Sequence, residues 1–176
     1  MPASRFSIRV RKLVPPDSHH LEAATGWLGL GLCADARAEL KAISPRQQNH
    51  PDVLEVRWEI FARENNWSDA AQVAGQLVAC APERASGWLY QAYAVRRAPD
   101  GGLPQAREVL QTAAKMFPEE PTVFYNLACY ACQLEQIDEA VQWLERAVAI
   151  GGKEQIKRMA LADDDLKPLW PEIRNL

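Results

Sequence analysis

Apolar residues recur at steps of three and four in two runs within residues 121–152. The positions in the first run are Phe124, Leu127, Ala128, Ala131 and Leu134, and those in the second are Ala140, Val141, Leu144, Ala147 and Val148. This spacing places each set on one face of an α-helix. Residues 135–138 between the runs are short and mostly polar, and Asp138 is expected to cap the second helix. The pattern predicts a hairpin of two amphipathic helices.

The same hairpin pattern occurs four times along the chain, with a period close to 34 residues. Ala140 has counterparts at Ala106, Ala70 and Ala36, and the successive separations in chain order are 34, 36 and 34 residues. A proline recurs near the expected end of the second helix at Pro82 and Pro118, where it stops a helix. A single hairpin cannot bury both of its apolar faces, so the repeats predict a stack of hairpins that cover one another.

These repeated residues resemble the tetratricopeptide repeat family. That family has a large residue followed four positions later by a small one, a small residue that opens the second helix, an alanine seven positions on and a closing proline. The third repeat supplies Trp88, Ala92, Ala106, Ala113 and Pro118, and the fourth supplies Phe124, Ala128, Ala140 and Ala147. The second repeat has Trp58 at a small position, and the first keeps Ala24, Ala36 and little else. The resemblance implies an all-α fold, a right-handed α-solenoid of about four helix hairpins with a C-terminal capping helix.

The predicted organisation has three parts. Residues 1–16 form a basic leader, which we expect to be flexible, with docking as a strand or in the groove as the alternative. The repeats cover 17–50, 51–84, 85–120 and 121–152. Residues 153–176 form a capping helix and a tail in which Asp163, Asp164 and Asp165 make an acidic turn before a short final helix. Apolar residues of that tail are expected to shield the end of the stack.

Composition narrows the classes of function. The apolar fraction of 48% is ample for a core, and the net charge of −3 gives no basic field for nucleic acid or an anionic membrane surface. No stretch reaches the roughly 18 uninterrupted apolar residues of a membrane span. Without a signal peptide, the four cysteines are most simply reduced thiols, which favours a cytoplasmic location.

No reactive arrangement is distinguishable in the sequence. Cys129 and Cys132 lie three apart inside a predicted helix, and Cys33 and Cys80 do not form a second pair, so neither a redox motif nor a zinc site is predicted. The adjacent His19 and His20 point to different sides of a helix. We therefore predict a protein that is not an enzyme and has no cofactor and no metal, with catalysis as the less favoured alternative.

The resemblance implies a function in protein–protein interaction, as an adaptor or scaffold. In that family the first helices line a concave groove that takes an extended peptide or a partner helix. The residues implied at this groove are Leu21, Thr25, Glu55, Glu59, Ala62, Arg63, Leu89, Tyr93, Arg96, Tyr125, Asn126, Cys129 and Gln133. The groove would be acidic at the second repeat and basic and aromatic at the third and fourth.

Asn126 matches an asparagine with which family members often hold the ligand backbone. The carboxylate clamp of the chaperone-tail co-chaperones is otherwise missing, so binding to such acidic tails is not predicted. A partner with a positive segment and an apolar or acidic end would complement the groove. A homo-oligomeric structural scaffold is the alternative function.

Overall fold

The computed structural model describes residues 12–175, and within this range the chain forms ten α-helices, two 3₁₀ helices and no strand. The α-helices are α1 (Asp17–Gly29), α2 (Cys33–Ala42), α3 (Pro51–Arg63), α4 (Trp67–Cys80), α5 (Ala85–Arg97), α6 (Leu103–Met116), α7 (Pro121–Gln133), α8 (Ile137–Gly151), α9 (Lys153–Ala160) and α10 (Trp170–Arg174). The 3₁₀ helices are Pro45–Gln47 and Asp164–Leu169. The predicted all-α fold of successive helix hairpins with a capping helix is confirmed. The first eleven residues of the predicted leader lie outside the described range.

The chain divides into two compact units, of which the first extends to Tyr90. In this unit α1 packs on α2, α3 packs on α4, and α3 also contacts both helices of the first hairpin. Its core contains aliphatic residues from α1, α2 and α3, including Ala24, Leu40 and Val53. Leu13, which the sequence analysis assigned to the leader, is also buried in this core. Residue 13 is therefore an anchor point of the first unit.

The second unit begins at Gln91 and is organised around α7. This helix contacts α6, α8 and the 3₁₀ helix Asp164–Leu169. Its residues are almost all apolar or small, and nine of the thirteen are buried. A helix that is apolar around most of its circumference needs neighbours on several sides, and α7 has them.

Four alanines occupy the same place in the four second helices. Ala36, Ala70, Ala106 and Ala140 are each the fourth residue of α2, α4, α6 and α8, and each has no exposed surface. A methyl group at this position allows the helix backbones to approach closely, whereas a larger side chain would separate them. The small-residue periodicity read from the sequence therefore marks the contact positions of the second helices.

Three of the hairpin turns also share a backbone conformation. Gly31, Asn65 and Glu135 each lie two residues beyond the end of a first helix and have φ values of 78°, 56° and 60°. In each turn the next amide donates back to a carbonyl five residues earlier, as in Leu32 to Trp27. This left-handed residue closes a helix by satisfying its last carbonyl groups.

The predicted helix cap at Asp138 is wrong. Helix α8 begins at Ile137, so Asp138 lies inside its first turn, where a carboxylate favours the helix dipole but does not cap it. Helix α4 begins at Trp67, and Asn66 is the cap, with its side-chain oxygen 3.3 Å from the Asp69 amide nitrogen. In both hairpins the left-handed residue, Asn65 or Glu135, lies two positions before the first residue of the second helix.

Candidate functional site

Helix α3 carries the predicted recognition residues of the first unit. Glu59 accepts a hydrogen bond from Arg63 Nη2 at 2.6 Å, one helical turn away. The same guanidinium donates to the carbonyl oxygen of Leu28 at 2.6 Å. Arg63 therefore joins α3 to the last turn of α1, and Glu59 stays partly exposed beside it.

Glu55 lies one turn before Glu59 and has its own partners. Its carboxylate accepts hydrogen bonds from Ser86 Oγ at 2.7 Å and from Arg84 Nη1 at 3.3 Å. Arg84 also donates to Asp52 at 2.6 Å. One guanidinium is thus shared by two carboxylates, and the ion pairs of this part of α3 join three carboxylates, Asp52, Glu55 and Glu59, to two guanidinium groups, Arg63 and Arg84.

An aromatic pair lies next to these carboxylates. The rings of Trp58 and Tyr90 stack with their centroids 4.0 Å apart and their planes 7° from parallel. Burial raises the pKa of the Tyr90 hydroxyl, and the negative charges of Glu55 and Glu59 raise it further. Trp58 occupies the position where the repeat pattern favours a small residue, and the stacked pair is how the first unit accommodates it.

Two predicted residues of the second unit remain accessible. Tyr93 is exposed, and the guanidinium carbon of Arg97 lies 3.5 Å from its ring centroid. Asn126 is half-buried on α7 and donates from Nδ2 to the Thr122 carbonyl at 2.8 Å. The amide oxygen of Asn126 accepts no hydrogen bond within residues 12–175 and is available for a ligand donor.

The other four predicted residues of the second unit contact the chain's own C-terminal acidic turn. The Tyr125 hydroxyl donates to Asp163 Oδ2 at 2.9 Å, and the Cys129 sulfur lies 3.5 Å from the same oxygen. Arg96 Nη1 lies 2.5 Å from Asp165 Oδ2. Gln133 Nε2 donates to the backbone carbonyl of Asp165 at 3.3 Å. The face of α7 that the sequence analysis assigned to a partner is therefore covered in large part by residues 163–165.

Burial affects the pKa values of the side chains that contact the acidic turn. Burial raises the pKa of both the Tyr125 hydroxyl and the Cys129 thiol, and the nearby Asp163 carboxylate adds to the effect. For Arg96, burial opposes the charge and is the largest cause, but the hydrogen bond to Asp165 and the negative charge of Asp165 act together against it and leave the pKa raised. Cys129 is accordingly a neutral thiol at neutral pH and acts as a weak donor to the carboxylate.

Residues 12–175 contain no group of three or more His, Cys, Asp or Glu side chains that could hold a metal ion. Within the same range no helix combines the length and the apolar character that a membrane crossing requires.

Residues 100–154 match the family model of the tetratricopeptide repeat. The chain therefore contains a segment that is similar to the tetratricopeptide repeat. No curated protein sequence matches it. Solved structures with the same fold include a thermophilic tetratricopeptide repeat protein of Thermus thermophilus, with 19% identity over 89% of this chain and 82% of that chain and a TM-score of 0.69. They also include residues 41 to the end of MamA from Desulfovibrio magneticus, with 16% identity over 94% of this chain and 97% of that chain and a TM-score of 0.68.

Tetratricopeptide repeats are generally non-catalytic protein–protein interaction modules, and the match of residues 100–154 to this repeat indicates an interaction role. Sequence reasoning missed the contact between the acidic turn and α7. The sequence features that could have indicated this contact are the acidic run at 163–165 and the two adjacent arginines at the end of α5. It also missed Arg84 and Tyr90, which lie just before and within α5 and complete the surface around α3.

Proposed function

We propose that the protein is a non-catalytic adaptor that binds a partner protein through the first helices of its repeats. The observation that carries this proposal is the surface of α3 in the first unit. There Asp52, Glu55 and Glu59 share two guanidinium partners beside the stacked rings of Trp58 and Tyr90. Partly exposed carboxylates beside an aromatic pair suit a partner segment that combines lysine or arginine with an apolar residue.

The remaining predicted groove residues take two roles in this proposal. Leu89 is half-buried on α5 in the first unit, and Tyr93 and Asn126 are accessible in the second, so we assign them to partner contact. Arg96, Tyr125, Cys129 and Gln133 contact the acidic turn of the same chain, and we assign them to holding the tail. Partner recognition then depends first on α3.

Charge reversal at Glu59 tests the proposal. The partner is first captured on the immobilised full chain from cells of its source and identified by mass spectrometry, and its affinity is then measured by titration. Glu59→Lys is expected to weaken binding at least about tenfold, since it places a cation where the partner's cation would lie. Binding by the unmodified chain should also weaken as salt is raised.

Glu22→Lys is the matched control, because Glu22 is an exposed glutamate on α1 of the same unit and the change in net charge is identical. It is expected to leave the affinity unchanged. Equal affinities for the unmodified chain, Glu59→Lys and Glu22→Lys would remove α3 from the binding surface.

A further inference from the structure

A cavity of about 400 Å³ lies in the second unit between α8 and the C-terminal segment. Six of its eight lining residues are apolar and two are glutamates. The lining residues are Val141, Leu144, Glu145, Val148, Ala149, Leu169, Glu172 and Ile173. The cavity is on α8 and α10, so it is separate from the face of α7 that holds the acidic turn.

The two glutamates of this cavity carry uncompensated charge. Glu145 on α8 and Glu172 on α10 are both exposed, and neither carboxylate forms an ion pair or a hydrogen bond with any residue in 12–175. Other carboxylates of the second unit do have a cationic partner, as Glu139 has Arg107 and Asp165 has Arg96. An apolar cavity between two unpaired carboxylates fits a ligand with apolar side chains flanked by cations.

The chain itself contains a segment of that chemistry at residues 5–12. Phe6, Ile8 and Val10 alternate with Ser7, Arg9 and Arg11, and Arg5 and Lys12 bring the number of cations to four. The first acidic residue of the chain is Asp17, so nothing within residues 1–16 neutralises these cations.

We propose that this cavity binds residues 5–12 of a second copy of the chain. The apolar residues of the segment contact Leu144, Val148 and Ile173, and its arginines pair with Glu145 and Glu172. This self-association is distinct from the adaptor function, which uses α3. It assigns an occupant to a cavity that the partner-binding surface leaves unused.

The proposed contact joins two different surfaces, because one copy supplies the segment and the other supplies the cavity. Each copy then still has a free segment or a free cavity, so association continues beyond a dimer into rings or open chains. The expected signature is a particle mass that rises with protein concentration past twice the mass of one chain. Since charge pairs contribute, the association should weaken at high salt.

The experiment measures mass by sedimentation equilibrium for the full chain and for two charge-reversed forms. One form carries Glu145→Lys with Glu172→Lys, and the other carries Arg9→Glu with Arg11→Glu. Each form alone is expected to weaken association at least about tenfold, and an equimolar mixture of the two should recover it, because the reversed segment then meets the reversed cavity. A fluorescent peptide of residues 1–12 should bind the full chain and should lose binding to Glu145→Lys with Glu172→Lys.

A matched control carries Glu108→Lys with Glu119→Lys, two exposed glutamates of the second unit outside the cavity. It has the same net charge as the cavity variant and should associate like the unmodified chain. Circular dichroism confirms that each variant is folded. A mass of one chain at every concentration, association that is unchanged by the cavity variant, or equal loss in the control would overturn the proposal.

Discussion

An ion pair between α5 and the tail helps to hold the acidic turn, residues 163–165, against α7. Arg96 and Asp165 are both largely buried, and the guanidinium also lies 5.2 Å from the ring centroid of Tyr130. Burial raises the pKa of Tyr130 to about 12, so its ring stays neutral beneath the cation over the physiological range. The acidic turn is thus fixed by a charge–charge contact, a cation–π contact and the hydrogen bond from Tyr125.

We expect Asp165→Asn to destabilise the protein by about 1–2 kcal/mol, since it leaves the Arg96 charge partly buried with a weaker acceptor. Asp164→Asn is the control, because Asp164 is next to it in the chain but is exposed and forms an ion pair with Lys167, in the next turn of the same 3₁₀ helix. An exposed pair at this spacing contributes little, so no measurable change is expected. Urea unfolding followed by circular dichroism measures both. Equal stability of the two variants would show that the Arg96 contact does not hold the tail.

At the level of residues, the sequence predicted which side chains are buried more reliably than it predicted which residues they contact. Periodicity requires only spacing along one helix, so it correctly marked Phe124, Leu127 and Ala128 as core positions. The contact of Tyr125 with Asp163 joins residues 38 positions apart and depends on where the tail packs. No local sequence pattern indicates a contact over that separation, so the same face of α7 was predicted to be available to a partner.

At the level of helices, the alanine at the fourth position of each second helix determines how closely that helix packs against its neighbours. Ala36→Leu adds three carbon atoms where the alanine has no exposed surface, and overpacking of this kind costs about 1–3 kcal/mol. Ala38→Leu is the matched change on the same helix, at an exposed position, and should alter the free energy of unfolding by less than about 0.5 kcal/mol. Thermal unfolding compares the two. If Ala36→Leu were as stable as Ala38→Leu, close approach of α2 to its neighbours would not depend on the alanine.

Helix existence was predictable for all four hairpins, whereas helix ends were not. Helix α1 begins at Asp17 with a polar first turn, which an apolar pattern does not mark. The wrong cap at Asp138 has a different origin. It follows a turn whose left-handed residue is Glu135, and non-glycine residues in that conformation carry little sequence signal.

For the whole molecule, the buried thiols and phenols make stability depend on pH. The pKa values of Tyr125, Cys129, Tyr130 and Cys132 are all raised, mainly by burial. In the unfolded chain a thiol loses its proton near pH 8.5 and a phenol near pH 10. Above about pH 8.5 the folded chain therefore holds more protons than the unfolded chain. Its free energy of unfolding must then fall as pH rises.

We expect the free energy of unfolding to stay level from about pH 6 to pH 8 and then to fall. Each group contributes at most about 1.4 kcal/mol per pH unit once its unfolded pKa is passed. On the acid side, the hydrogen bond from Arg107 lowers the pKa of Glu139, so that part of the stability is lost as pH falls below the ordinary glutamate range. Urea unfolding at a series of pH values up to 10 measures the curve.

Cys129→Ala removes one of the groups with a raised pKa and should make the alkaline fall shallower, whatever its effect on stability at pH 7. Comparing slopes rather than absolute stabilities separates the proton linkage from the loss of packing around the sulfur. The slope tests burial directly, because a thiol that reached solvent would titrate alike in the folded and unfolded chains. If the variant and the unmodified chain had the same slope between pH 8.5 and pH 10, the tail would not cover Cys129 in solution.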